Sequence, residues 1–194
     1  MRHLLGIIIR PYETMRSLSK GVNPLEIIYI NILAVIYIGL ASLLRKGLDS
    51  GSLLLTLHFG KLFSGIIFTF IFSWGIIYFV GKLFGGKASP SNIFYPWLYS
   101  LIPTLLWFLT ASFFYFLLPP PRTDSLKGQL FSLVFIGISI TCFYWKGMLY
   151  YLTLRFGHKL SLGKIILSTI IIVPLAILYS LFTYKLGLFR IPFI

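Results

Sequence analysis

LFSGIIFTFIFSWGIIYFVG, residues 62–81, is the stretch that decides the fold of this protein. It contains 20 residues without a charge and is bounded by Lys61 and Lys82. With a rise of ~1.5 Å per residue, a helix of this length crosses the ~30 Å hydrocarbon core of a bilayer. Because no water is present there to bond the backbone, the stretch is predicted to be a transmembrane helix.

Similar apolar blocks fill most of the chain. Of its 194 residues, 58% are apolar and 11% are charged, against about one quarter charged in a soluble domain. The blocks predict an all-α polytopic membrane protein, a bundle of about five transmembrane helices. The predicted spans are residues 27–44, 62–81, 93–118, 130–154 and 165–184. Since the connections are short, we expect a single membrane domain over residues 1–194.

Residues 1–26 form a short leader that we expect to be cytoplasmic or interfacial. Pro11 is well placed as the first residue of a helix, and Tyr12, Met15 and Leu18 recur at three-residue spacing. This pattern predicts a short helix that lies in the membrane interface.

Two prolines fall in the third predicted span. Pro96 is expected to open the helix in its first turn, whereas Pro103 lies inside it. A proline within a helix removes a backbone hydrogen bond, so Pro103 predicts a kink.

The net charge of +13 points to lipid. The basic residues stand singly at the ends of the apolar blocks, which favours anionic headgroups over nucleic acid as their partner. Alternate connections carry unequal charge, and the richer side is predicted to be cytoplasmic, with an external C-terminus. That side holds nine basic residues, Arg2, Arg10, Arg16, Lys20, Lys82, Lys87, Arg155, Lys159 and Lys164, against seven, Arg45, Lys46, Lys61, Arg122, Lys127, Lys185 and Arg190.

The inventory of reactive side chains is poor. The three histidines lie in different segments, the four acids lie outside the spans, and Cys142 is the only cysteine. We therefore predict no catalytic residue, no metal site and no cofactor. Gly81, Gly86 and Lys87 have the spacing of a phosphate-binding loop, but Ala88 lacks the hydroxyl that would bind magnesium, so a flexible turn is predicted.

Lys146 is the one charged residue inside an apolar block. An ionisable residue at such depth is a functional candidate by default, here for a lipid phosphate or a substrate. Alternatively, its long stem snorkels to the interface, with Trp145 in the aromatic belt. Lys87, Arg10 and Arg16 are further candidate contacts to lipid or a partner.

Small residues recur four apart on two predicted helices. They are Gly65, Thr69 and Ser73 on the second, and Gly137 and Thr141 on the fourth. Such stripes allow close helix packing in lipid. They could pack within this bundle, against another membrane protein, or against a second copy of the chain.

The order of these features resembles the Yip family, multi-spanning proteins named for interacting with Ypt/Rab GTPases, and in particular its short prokaryotic members. The resemblance covers most of the chain and rests on Arg10-Pro11-Tyr12, Met15, the segment LFGGKAS at residues 83–89, Tyr99 and Pro103. It implies a non-enzymatic protein of a prokaryotic cytoplasmic membrane that acts through lipids or other membrane proteins.

Three functional hypotheses remain open. The first is a non-catalytic protein that organises a membrane assembly or modulates the bilayer. The second is a permease-like protein or transporter subunit that moves lipid or a small apolar solute past the kinked third helix. The third, an intramembrane enzyme, would need a polar cluster around Lys146, His58 or Asn31.

Overall fold

The computed structural model describes residues 2–21, 59–117 and 125–186, together with the single positions 28, 32 and 35. All regular secondary structure in these ranges is helical. The helices are α1 (Arg2–Ile9), α2 (Pro11–Leu18), α3 (Phe59–Leu83), α4 (Pro90–Tyr99), α5 (Leu101–Leu117), α6 (Leu126–Leu152) and α7 (Leu162–Lys185), with a π-helical turn, Thr153–Gly157, directly after α6.

Within the described residues, four helical segments are long and apolar enough to cross a membrane: Ser64–Leu83, Pro90–Ala111, Leu126–Gly157 and Leu162–Lys185. Their outer surfaces carry large apolar side chains, such as Phe79, Leu133 and Ile170, each more than 60% exposed. Such surfaces suit lipid and not water. The prediction of an all-α polytopic membrane protein is confirmed. The first predicted span, residues 27–44, lies outside the described residues except at positions 28, 32 and 35, and His58 and Asn31 lie outside them too.

The long helices associate as two pairs. Helix α3 packs along α7, and α5 packs along α6. Helix α4 and the π-helical turn contact each other and join the two pairs at one end of the bundle. The buried side chains accordingly form two clusters, one shared by α1, α2, α4, α5 and α6, the other by α3, α4, the π-helical turn and α7.

The leader forms two short helices where the sequence predicted one. Helix α2 begins at Pro11 as expected, and Met15 and Leu18 are completely buried against the bundle. Helix α1 adds Ile7 to the same cluster. Tyr12 is half exposed and meets Phe156 of the π-helical turn edge to face, with ring centroids 4.8 Å apart. The leader is therefore docked on the bundle through an apolar face.

The third predicted span is broken at Ser100, between α4 and α5. Pro103 lies three residues further on, and since it has no N–H it cannot donate to the carbonyl of Tyr99. The expectation for Pro96 was wrong: Pro90 occupies the first turn of α4, while Pro96 lies inside that helix. The helix starts earlier because Ser89 is extended and Pro90 fits the first helical position without losing a bond.

Candidate functional site

At one end of the bundle, which we call the basic end, the ends of four elements lie close together. Here the turn after α3, residues 84–89, lies beside residues 158–161, and Lys87 N–H donates to the carbonyl of His158 at 3.2 Å. The α1–α2 pair packs against the same end through α4 and the π-helical turn. The basic end carries eight exposed basic side chains, Arg10, Arg16, Lys20, Lys82, Lys87, Arg155, Lys159 and Lys164.

Glu13 is the only acidic residue in the described ranges. It lies 3.7 Å from Arg10, and both side chains are about 70% exposed. An exposed pair of this kind is screened and weak. The basic end therefore presents a strong excess of positive charge to its surroundings.

His158 is the buried centre of the basic end, with 1% of its surface exposed. Its Nε2–H donates to the carbonyl of Ile77 at 3.2 Å, and its ring fits between Gly81 and Gly86. A Cβ atom at either glycine would overlap the ring. Gly81 and Gly86, whose spacing resembles that of a phosphate-binding loop, thus hold an imidazole ring between them.

Burial lowers the pKa of His158 to about 4. The hydrogen bond to Ile77 raises this pKa and the charge of Lys82 lowers it, but both effects are smaller than that of burial. The imidazole is therefore neutral at pH 7. Its Nδ1 atom is buried without a hydrogen-bond partner among the described residues. His158 fixes the turn after α3 against the start of α7 by packing and by the bond to Ile77.

A cavity of about 250 Å³ lies between the two helix pairs. Its wall is mostly apolar, with contributions from Ile66, Phe70, Leu105, Phe108 and Ala176 among others. Lining residues Phe72, Phe143 and Val173 are themselves 39%, 73% and 45% exposed, so the rim reaches the lipid-facing surface. The cavity is accessible from the side of the bundle.

Among the described residues that line this cavity, Lys146 alone is charged. Its Nζ donates to Thr104 Oγ1 at 2.9 Å and lies 5.8 Å from the ring centroid of Trp97. It precedes Gly157, the last residue of the π-helical turn, by eleven positions, ~16 Å along the helix. The ammonium group therefore lies inside the bundle and well before the end of this helical segment, and Trp145 packs beside the cluster that holds the leader.

Polar side chains join the helices around the cavity. Tyr150 and Thr169 bond α6 to α7 at 2.9 Å, and Tyr179 and Thr69 bond α7 to α3 at 2.8 Å. The indole of Trp97 donates to Ser73 at 2.9 Å and bonds α4 to α3. These are the interhelical bonds that hold membrane helices together.

The two stripes of small residues face different surroundings. Thr69 and Ser73 face the bundle interior and the cavity, whereas Gly137 and Thr141 are exposed. Sequence reasoning identified both stripes and Lys146, but it missed His158 and the cavity. The spacing of Gly81 and Gly86 was the available signal for His158. It could have been interpreted only if the side chain that packs against these glycines had been known.

Among residues 2–21, 59–117 and 125–186, no group of three or more His, Cys, Asp or Glu side chains could hold a metal ion. The arrangement presents exposed cations at one end and a mostly apolar cavity between its helices. It is that of a polytopic helical membrane protein with a charged end and an apolar cavity.

The model of the Yip1 domain matches residues 5–184. The chain therefore belongs to the Yip1 domain family, as the resemblance predicted. Curated proteins and solved structures gave no match. Proteins of this family are generally non-enzymatic membrane proteins.

Proposed function

We propose that this protein is a non-catalytic membrane protein that organises a membrane assembly, or modulates the bilayer, by collecting anionic lipids at its basic end. The observation that carries the proposal is the set of eight exposed basic side chains on the described segments that meet at the basic end. They come from the leader, the turn after α3, the π-helical turn and the start of α7. Tertiary packing concentrates charge that the sequence distributes over more than 150 residues.

Anionic headgroups are the partner that this surface fits. A basic residue near an anionic membrane surface contributes ~1 kcal/mol of attraction, within a Debye length of ~10 Å at 0.1 M salt. Several such residues act together without a defined pocket. The apolar face of the leader, with Met15 and Leu18, is docked on the bundle, and the leader adds the exposed side chains of Arg16 and Lys20 to this charge.

The test is lipid enrichment around the protein in membranes of mixed composition. The protein is reconstituted with phosphatidylcholine and phosphatidylglycerol, extracted in polymer-bounded native discs, and the retained lipids are quantified. We expect phosphatidylglycerol above its bulk fraction, and less of it for the double variant Lys159→Gln, Lys164→Gln. The matched control is Lys127→Gln, Lys185→Gln, which removes the same charge at the opposite end of the bundle. Equal retention by both variants would overturn the proposal.

We also propose that the basic end faces the cytoplasm. The excess of basic residues on this side supports that orientation. In a Cys142→Ala background, Lys20→Cys at the basic end and Lys185→Cys at the end of α7 are labelled in intact cells with a membrane-impermeant maleimide. We expect Lys185→Cys to react and Lys20→Cys to react only after lysis; the reverse pattern would contradict this orientation.

A second candidate function, facilitated movement of lipid or a small apolar solute, is favoured by the cavity between the helix pairs. Its rim reaches the lipid-facing surface, and it lies beside the break at Ser100. Reconstituted vesicles with a fluorescent lipid separate the two candidates. Scrambling that stops in Gly147→Leu but persists in Gly137→Leu supports movement, and protein-independent scrambling excludes it.

A further inference from the structure

We infer that the cavity between the helix pairs binds a single-chain amphipath with a terminal carboxylate, a long-chain fatty acid, whose carboxylate pairs with Lys146. This site is separate from the basic end and does not depend on the proposal made for it. Its occupant would enter from the bilayer through the exposed rim formed by Phe72, Phe143 and Val173.

The charge at the cavity selects an anion. Lys146 presents an ammonium group to a wall whose other described residues are uncharged. Its Nζ is held by Thr104 at 2.9 Å and by the face of the Trp97 ring. A carboxylate accepting from Nζ in this apolar setting would form a charge-assisted hydrogen bond, which is stronger than a neutral one.

The shape of the cavity selects a chain. Beyond Lys146, away from the basic end, the wall continues as apolar side chains, among them Ile66, Leu105 and Phe108. The volume of about 250 Å³ is somewhat below the ~300 to 1,000 Å³ of typical small-molecule sites. One alkyl chain suits it, whereas a whole phospholipid with two chains is too large to be enclosed in it.

Hydroxyl groups at the cavity favour a carboxylate over a larger head. Thr104 lies beside Nζ and can donate its own hydrogen to a second carboxylate oxygen, because it accepts from Lys146 through its lone pair. Tyr150, one turn further along α6, is bonded to Thr169 and so closes the wall toward α7. Thr69 and Tyr179, which line the cavity further from the basic end, bond to each other at 2.8 Å, so Lys146 and Thr104 form the charged part of the polar lining.

The test compares two ligands that share a chain. Binding of radiolabelled palmitate and of hexadecanol is measured at neutral pH, with the protein in phosphatidylcholine nanodiscs and empty nanodiscs as the background. The protein is expected to bind palmitate at least tenfold more tightly than hexadecanol, the range of a hydrogen bond to a charged group. The Lys146→Met variant should lose this preference and still bind hexadecanol.

A pair of glycine variants on α6 tests the location. Gly147 lines the cavity and Gly137 does not, and a Cβ at either has open space around it. Gly147→Leu should reduce binding of both ligands at least tenfold, whereas Gly137→Leu should leave both unchanged. Lys146→Arg, which keeps the charge, should retain palmitate binding and serves if the methionine variant does not fold.

The inference fails if the protein binds palmitate no better than empty nanodiscs. It also fails if Lys146→Met keeps the ratio of palmitate to hexadecanol, or if Gly147→Leu binds like Gly137→Leu. Since phosphatidylcholine carries no net charge, these outcomes are independent of anionic lipid at the basic end. Loss of lipid enrichment there and loss of palmitate binding here are thus separate results.

Discussion

The basic end and the cavity use positive charge in opposite ways. At the basic end, eight basic side chains of the described residues are exposed. In the cavity, one half-buried cation stands among apolar side chains and is held by Thr104 and Trp97. Many solvated charges attract anions collectively, with little dependence on the shape of the anion. One charge in an apolar wall favours an anion that can reach its position. The surroundings of a cation therefore decide its role more than the number of cations does.

The largest expected effect is on the basic end and comes from protonating His158. The folded chain lowers the pKa of His158 to about 4 from 6.5, so the unfolded chain takes up the proton first. Stability is therefore complete above about pH 6.5, falls as the pH drops, and levels off below about 4, with a total loss of about 3 kcal/mol. Thermal unfolding in neutral detergent across this range measures it.

Two histidine variants serve as controls for this loss. His158→Gln can still donate to Ile77 and should flatten the pH dependence, whereas His3→Gln, at a half-exposed site, should keep it. An unchanged pH profile in His158→Gln would show that another group carries the effect.

The next effect concerns how closely the imidazole ring of His158 packs against Gly81. Gly81→Ala places a methyl group on the imidazole and should lower stability by about 1 to 3 kcal/mol, the range for overpacking. Gly75→Ala is the matched control on the same helix, since a Cβ there has open space and alanine favours a helix. Thermal unfolding of both variants is the measurement. Equal midpoints would mean that the ring moves aside freely.

A smaller effect concerns Lys146 in the cavity wall, where one substitution is expected to raise stability and to reduce the preference for a ligand. Lys146→Met removes a charge from an apolar wall and should raise stability by about 1 kcal/mol, because an apolar side chain of similar size needs no desolvation. The same variant should lose its preference for palmitate. Unfolding midpoints in detergent, measured without added fatty acid, test the gain. A large drop in the midpoint would show that the bonds to Thr104 and Trp97 stabilise the bundle.

The smallest effect is on binding at the cavity when salt is raised. From 0.1 M to 1 M the Debye length falls from ~10 Å to ~3 Å, so enrichment of phosphatidylglycerol at the basic end should vanish. Palmitate binding should change less than about twofold, because a buried pair is poorly screened. Both quantities are measured on the same reconstituted protein. Equal sensitivity to salt would remove the distinction between the two regions.

Much of the fold was readable from the order of residues. The uncharged run at residues 62–81 needs no tertiary information to predict a helix, since lipid offers no other way to bond its backbone. Pro11 likewise marked the start of α2 through its fixed geometry. The start of α4 at Pro90 was missed, because the third apolar block gives no sign of which of its prolines begins the helix.

Only part of the candidate site could be predicted from the sequence. Lys146 attracted attention because it is a charge within an apolar block, but the sequence did not decide between snorkelling and a contact inside the bundle. Its geometry depends on Thr104 and Trp97, which lie more than 40 residues away. His158 went unnoticed because its partners Ile77, Gly81 and Gly86 lie over 70 residues earlier.

The order of residues was enough to predict the solvent of this protein, the helical state of its spans and the places where charge is allowed. These follow from hydrocarbon's inability to solvate backbone groups and charges, a property that acts on each segment separately. Only the tertiary structure decided which cations share one end, which stripe faces inward, and that two helix pairs leave a cavity beside Lys146. Those features arise from contacts between distant segments, where side-chain shape decides what packs together.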